Sequence, residues 1–292
     1  MTLLETIFMG ILQGITEFLP VSSSGHLAIF KNIFHINTDT GLLYDVLLHL
    51  GTLVAVFVVY YKDIGKMIKE GIGIVVDAFA NSGVFVQNTF FKKQMSYRRM
   101  VGNGYRKFVM LVIVSTIPTG VIGYVGKDLI EVSAEILIVP GICLLITAFL
   151  LLISDRIQDR GKTPKNVTYT NAFSIGICQG IATLPGLSRS GTTITACLVS
   201  GFDRSFAVKY SFIMSIPAIL GAVVLQVKDV KIAEVPPTQW AYYAIGMLIS
   251  AVVGYICIKT MLVIVRKKKF TYFAIYCIAI GVLSIGGYFW LA

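Results

Sequence analysis

The chain has 292 residues, 56% of them hydrophobic and only 14% charged, with a formal net charge of +10. Its apolar runs approach or exceed the ~20 residues that cross a bilayer, which excludes a soluble globular fold and marks a polytopic membrane protein. The positive charge lies in loops beside those runs, a pattern of membrane topology and anionic headgroups that disfavours a nucleic-acid partner.

In chain order, Met1-Thr2-Leu3-Leu4-Glu5 lacks a basic leader pattern, and no removable signal peptide is expected. The segment 3–30 is apolar at both ends but broken by Pro20-Val21-Ser22-Ser23-Ser24-Gly25. A span is predicted at 42–61. It is followed by a long basic insertion, 62–107, in which Ile64 to Phe79 reads as an interfacial amphipathic helix or as part of a mobile segment. Spans at 108–125 and 135–153 come next. The segment 172–200 is then broken by Pro185-Gly186-Leu187-Ser188-Arg189-Ser190-Gly191, and spans at 206–226, 239–258 and 270–290 complete the chain. Neither broken segment can remain regular helix, and a bare interruption in lipid would strand backbone amides. Two half-helices joined by a turn buried in protein avoid that cost, so both segments are predicted as re-entrant hairpins. Pro118 and Pro217 are expected to kink their spans, and the five cysteines read as packing residues.

The chain nearly repeats itself at an offset of 166 residues. Gly10-Ile11-Leu12-Gln13-Gly14-Ile15 returns as Gly176-Ile177-Cys178-Gln179-Gly180-Ile181, Ser22-Ser23-Ser24-Gly25 as Ser188-Arg189-Ser190-Gly191, Tyr44 as Tyr210, and Lys62-Asp63 as Lys228-Asp229. Each copy has one hairpin and three spans, and an odd number of spans inverts the second copy. The fold class is therefore all-α, a polytopic membrane protein with six transmembrane helices plus two re-entrant helical hairpins in an inverted-topology repeat. The single membrane domain, 1–292, divides into repeat one at 1–153 and repeat two at 172–292. Basic residues concentrate in 62–107, 154–171 and 259–269. Placing these loops in the cytoplasm puts both termini and the first hairpin outside, with the second hairpin entering from inside.

The chemistry is expected at the hairpin tips. Glu17 is a carboxylate at membrane depth, where such a group is costly and marks function by default. Gln13 is four residues earlier on the same helix face, and the two oxygens can help hold a divalent cation whose shell a substrate phosphate completes. Arg189 is the cation of the second tip and is suited to phosphate oxygens. Ser188, Ser190, Thr192 and Thr193 add hydroxyls beside it, and Gly191 lets backbone amides face an anion. In the first tip, Ser22, Ser23 and Ser24 precede His26, which can act as general base, general acid or nucleophile; a tip serine is the other candidate nucleophile. Asp45 and His49, one turn apart, read either as a structural pair or as a shell orienting the site. His35 reads as a solvated loop residue, and Asp63 and Asp229 as interfacial boundary residues.

Gln13-x3-Glu17 followed by Phe18-Leu19-Pro20-Val21-Ser22-Ser23-Ser24-Gly25-His26, together with Pro185-Gly186-Leu187-Ser188-Arg189-Ser190-Gly191-Thr192-Thr193, resembles the bacterial undecaprenyl-diphosphate phosphatases of the bacitracin-resistance type. The resemblance covers nearly the whole chain. It implies removal of the terminal phosphate from a polyprenyl diphosphate lipid in the plasma membrane, recycling of a cell-wall lipid carrier, and dependence on Mg2+ or Ca2+. Gln13 stands where that family's pattern allows Glu or Gln, leaving Glu17 as the only acid of the pair. In-line attack by Ser23, or by water activated by Glu17 or His26, is expected from the outer face; the residues alone do not choose between them. The oligomeric state stays open, a homodimer included.

An inverted-repeat transporter or flippase for polyprenyl phosphate is the rival reading. The two tips are chemically unequal, since Glu17, Ser23 and His26 correspond to Thr183, Arg189 and Thr192. Divided roles of this kind favour an enzyme. A membrane protein that holds the lipid without cleaving it is the third reading.

Overall fold

The computed structural model describes residues 1–34, 41–158, 160–227 and 235–291. His35 and the Lys228-Asp229 recurrence lie outside the described residues. Eleven helices are described: α1 Leu3–Phe18, α2 Ser23–Phe34, α3 Gly41–Phe90, α4 Gly104–Val125, α5 Lys127–Glu135, α6 Ile138–Arg156, α7 Tyr169–Ile181, α8 Arg189–Val199, α9 Arg204–Val227, α10 Pro237–Arg266 and α11 Thr271–Leu291. Six of them (α3, α4, α6, α9, α10 and α11) are long and apolar enough to cross a membrane. The all-α polytopic class follows directly.

Local chemistry sets the helix ends. Thr2 opens α1 with a reciprocal box in which its hydroxyl accepts from the Glu5 amide and the Glu5 carboxylate accepts from the Thr2 amide. Thr168 and Asn171 open α7 in the same way, 166 residues later. The hairpins break where Pro20 and Pro185 fall, and Ser22 and Ser188 recap the chain by accepting from the amides of Gly25 and Gly191.

Helix α1 packs against α10, and α7 against α4. Each hairpin's first arm thus lies on a span from the other half of the chain. Small residues allow the approach: a methyl on Gly10 would stand 2.7 Å from the Gly246 carbonyl oxygen, and one on Gly176 only 2.1 Å from that of Ser115. The contacts also give direction. Gln239 donates to Met1 O at one end of α1, and Phe18 meets Gly254 at the other. Tyr44 donates to Thr6 O and meets Gly246, and Ala55 meets Gly254 farther along, so α1, α3 and α10 run the same way. Lys107 sits over Tyr169 and Thr119 donates to Gly176 O, while Phe108 meets Phe206 and Tyr210 donates to Ser115 Oγ, so α4, α7 and α9 also share one direction. The two groups oppose each other, because Asp63 at the far end of the α3 span meets Lys209 at the start of α9, and Arg266 at the end of α10 meets Ser205. The equivalent tyrosines Tyr44 and Tyr210 therefore stand on oppositely directed helices.

Two elements depart from expectation. Residues 127–135 fold as α5, a short helix with Asp128 in its first turn, which suits the positive end of the helix dipole. The insertion 62–107 holds a helix over Ile64 to Phe79, as expected, but a longer one: a kink at Tyr60 separates it from the span, and it runs on to Phe90 before the chain returns to α4. Pro118 and Pro217 remain inside α4 and α9. Asp63 accepts from Tyr105 as well as Lys209, so it joins three helices.

Buried Arg204 donates to the carbonyls of Ser154 and Ile157 at the end of α6. Those acceptors carry the negative end of the helix dipole. Arg204→Met is expected to destabilise the protein by about 2 kcal/mol by leaving buried acceptors bare. Thermal unfolding in detergent measures this, and an unchanged midpoint removes the capping role.

Candidate active site at the hairpin tips

The two breaks meet. Ser190 Oγ approaches Leu19 O at 3.4 Å, and Gly25 lies against the Gly186 backbone. Thr147 on α6 fixes the second tip, accepting from the Ser188 amide at 2.9 Å and donating to Gly186 O at 3.1 Å.

Glu17 is the centre of the arrangement and is only 5% exposed. One carboxylate oxygen accepts from Ser23 Oγ at 2.7 Å and from Gln13 Nε2 at 3.0 Å, while the other pairs with Arg189 across the two tips. His49 Nε2 stands 3.9 Å from the first oxygen. Among the described residues, the buried Arg189 Nη1 and Gln13 Oε1 have no hydrogen-bond partner. Arg189 thus keeps a donor to offer an anion, at the first residue of α8, where the helix dipole favours negative charge.

The site opens into a cavity of about 2050 Å³. Its polar end includes Glu17, Ser22, Ser23, Ser24, Lys31, Asp45, His49, Ser188 and Arg189, and its wall continues along the apolar stretch Ala218–Leu225 of α9 and past Leu27, Ile130 and Leu137, with Lys127 and Glu131 of α5 also lining it. A polar head with a long hydrocarbon tail matches both surfaces.

Of the other site residues expected from the sequence, Asp45, His49 and Ser188 line the cavity and several do not. His26 does not line the cavity. Its Nδ1 faces Ser22 O at 2.7 Å, and a carbonyl can only accept, so the proton sits there; Nε2 then accepts from Tyr276 OH at 2.8 Å, with the two rings stacked. Both nitrogens are engaged, and neither is offered to the cavity as base or nucleophile. The expected hydroxyl cradle is only partly assembled, because Ser188 lines the cavity while Ser190, Gly191, Thr192 and Thr193 do not. Thr193 donates to Arg189 O and shares a 2.6 Å hydrogen bond with Ser211, tying α8 to α9. Asp45 and His49 meet through the backbone, His49 Nδ1 donating to Asp45 O at 2.8 Å. The Asp45 carboxylate instead pairs with Lys31.

Lys31 is the site residue that sequence reasoning missed. Ser23, Leu27 and Lys31 recur every four residues along α2 and all face the cavity. A lone lysine in step with the tip serine was the available signal.

For a divalent cation, the described residues hold no group of three or more His, Cys, Asp or Glu. They supply one carboxylate, Glu17, and the unpartnered Gln13 Oε1. That donor set fits a hard cation arriving with substrate phosphates, since Mg2+ commonly takes one or two carboxylates plus phosphate oxygens; it does not fit an all-protein cage.

The helices define a multi-pass membrane protein in which a buried carboxylate and an arginine pair where two broken segments meet. The chain belongs to the family described as bacitracin resistance protein BacA, whose model matches residues 6–283. It is 43% identical over 230 residues to an undecaprenyl-diphosphatase of Alkaliphilus metalliredigens, covering 79% of this chain and 78% of that one. It is 42% identical over 228 residues to an undecaprenyl-diphosphatase of Methanosphaera stadtmanae, covering 78% of each. A third, from Halothermothrix orenii, is 38% identical over 248 residues, covering 85% and 83%.

Proposed function

We propose that this chain hydrolyses undecaprenyl diphosphate to undecaprenyl phosphate and inorganic phosphate, recycling the lipid carrier of cell-wall synthesis and conferring bacitracin resistance. The observation that carries this reading is one buried carboxylate, Glu17, holding the Ser23 hydroxyl and the Arg189 guanidinium together at the polar end of an apolar-walled cavity. The relatives are named for hydrolysis, not for transport of a polyprenyl phosphate.

The diphosphate draws Arg189 and the N-terminus of α8 by charge, while the prenyl tail lies along the wall of α9. Phosphoryl transfer depends mainly on positioning and charge neutralisation. Ser23 Oγ attacks the terminal phosphorus, its proton passes to Glu17, and the bridging P–O bond breaks to release undecaprenyl phosphate. Water then cleaves the phosphoserine, a hydrogen returns to Ser23 Oγ, and phosphate leaves. A water activated directly by Glu17 is the competing nucleophile. Mg2+ or Ca2+, held by Glu17 and Gln13 with the substrate oxygens, would supply further neutralisation of phosphate charge.

Ser23→Ala is expected to lower turnover about 10³-fold or more if serine is the nucleophile. Near-normal turnover assigns attack to water.

The setting is a multi-pass protein of the bacterial plasma membrane, with both termini and the catalytic tip facing outward. Three basic loops on one side support that orientation. The re-entrant hairpins are supported by length: α8 has 11 residues and α7 has 13, or roughly 17 and 20 Å, against a hydrocarbon core of about 30 Å. The repeats at 1–153 and 172–292 are supported by the opposed directions of Tyr44 and Tyr210.

The deciding experiment is phosphate release from undecaprenyl diphosphate by the purified protein in detergent, with and without EDTA. Release that EDTA abolishes and Mg2+ or Ca2+ restores supports the reading. No release with any metal, from protein that still binds the lipid, moves it to a transporter or carrier.

A further inference from the structure

Beyond Tyr60, α3 has two unlike faces. One holds the protein. Asp63 accepts from Tyr105, Arg106 bonds Glu70 at 2.9 Å and Asp77 at 2.7 Å, and Asn81 and Asn88 pin the returning chain at Arg98 and Met95. The opposite face carries Ile68, Ile72, Val75, Val76, Phe79 and Phe90, all exposed, with Phe79 and Phe90 each at 74%. At ~100° per residue these six fall within one stripe about 100° wide. On the span side of the Tyr60 kink, Val54 and Phe57 are exposed as well.

The path of the extension points to what covers this face. A helix leaving the bilayer along its span axis would part from α4 within a turn. Here Gly71, eight residues after Asp63, lies against Val109, which is deeper in α4 than the Tyr105 that Asp63 meets. The extension therefore crosses the base of α4, at the depth where that span begins. Lys62, Lys66 and Lys69 are exposed on one flank of the stripe. A bare apolar stripe bordered by lysines and level with a span's start has the chemistry of a helix lying in a lipid headgroup layer.

We infer that the apolar face of α3 from Ile68 to Phe90 docks on the membrane surface on the basic-loop side, with Lys62, Lys66 and Lys69 meeting anionic headgroups. This docking anchors the base of α4 through Arg106.

The test uses the full chain carrying Trp240→Phe and Trp290→Phe, with a single indole introduced as Phe79→Trp or as Val84→Trp. Val84 is half-buried and about 160° around the helix from Ile68. Each variant is reconstituted into vesicles of phosphatidylcholine and phosphatidylglycerol with acyl chains brominated near the headgroup. Only monodisperse protein that retains the phosphate-release activity of the Trp-less parent is used. The brominated lipid is expected to quench the Phe79→Trp indole about twofold or more and the Val84→Trp indole little. Equal quenching of the two overturns the docking, as does a Phe79→Trp indole that acrylamide quenches and bromine does not. An indole shielded from both quenchers assigns the face to a second copy of the chain and also overturns it. Lys62→Glu with Lys66→Glu and Lys69→Glu is expected to halve, roughly, the quenching in the phosphatidylglycerol vesicles. Undiminished quenching overturns the anionic-headgroup contact.

Discussion

Arg189→Ala is expected to lower phosphate release from undecaprenyl diphosphate by about 10³-fold, the effect of losing a preorganised charge at a developing phosphate. The guanidinium does two jobs. It neutralises Glu17 across the hairpin tips, and in the proposed mechanism its Nη1, unpartnered among the described residues, takes the substrate. Removing it also leaves a carboxylate 5% exposed with no cation bonded to it. Breaking a buried pair from one side costs about 3 kcal/mol, so the variant is also expected to melt earlier in detergent. The two effects separate with Arg189→Lys, which keeps a positive charge beside Glu17 but loses the planar fork that grips phosphate oxygens. Its melting point should recover most of the loss while its turnover stays at least about tenfold low. Wild-type turnover in a folded Arg189→Ala protein would remove Arg189 from the reaction. Glu17→Gln completes the set: it keeps side-chain shape but cannot take the Ser23 proton, and its amide nitrogen would face a donor that one carboxylate oxygen now accepts from, so both turnover and melting point are expected to fall.

Gly186→Ala is expected to be the most damaging single-methyl change in the tips. Gly186 has φ +90, a conformation open to glycine and strained for alanine. A methyl there would also stand 2.3 Å from the Pro140 carbonyl oxygen, and backbone cannot swing aside as a side chain can. Strain and overlap together are expected to cost at least about 3 kcal/mol. Because Gly186 O accepts from Thr147, whose hydroxyl in turn receives the Ser188 amide, relaxation would move Arg189 as well. Folded yield, melting temperature and turnover should fall together. A variant that melts like the parent but loses turnover would show that the tip shifts without a stability cost, and one unchanged in both would show that the α6 contact is not tight.

The spans were legible because crossing a membrane needs long apolar runs, and a chain has few ways to hide them. Helix ends were less so. The first span ends at the Tyr60 kink, close to where the sequence puts it, but the helix expected from Ile64 to Phe79 runs on to Phe90, because its apolar stripe and anchored polar face persist that far. Within the site, Glu17, Ser23 and Arg189 were legible as chemistry out of place in hydrocarbon. Their mutual bonds were not, since Glu17 and Arg189 lie 172 residues apart. His26 misled because residue type says what an imidazole can do, whereas its two partners decide what it does. Thr193 misled similarly: its hydroxyl reads as a phosphate donor in a motif but is used up between Arg189 O and Ser211.

By itself, the amino-acid sequence determined the membrane class, the six spans, the two broken segments and their kinship at an offset of 166, because periodicity, helix-breaking residues and the cost of charge in lipid are local properties. Only the tertiary structure decided which hydroxyl reaches Glu17, that Lys31 takes Asp45 from His49, and that each hairpin leans on the other half of the chain. Those outcomes depend on which helices pack, and packing turns on the fit of surfaces far apart in the chain, as where Gly10 admits Gly246 and Gly176 admits Ser115.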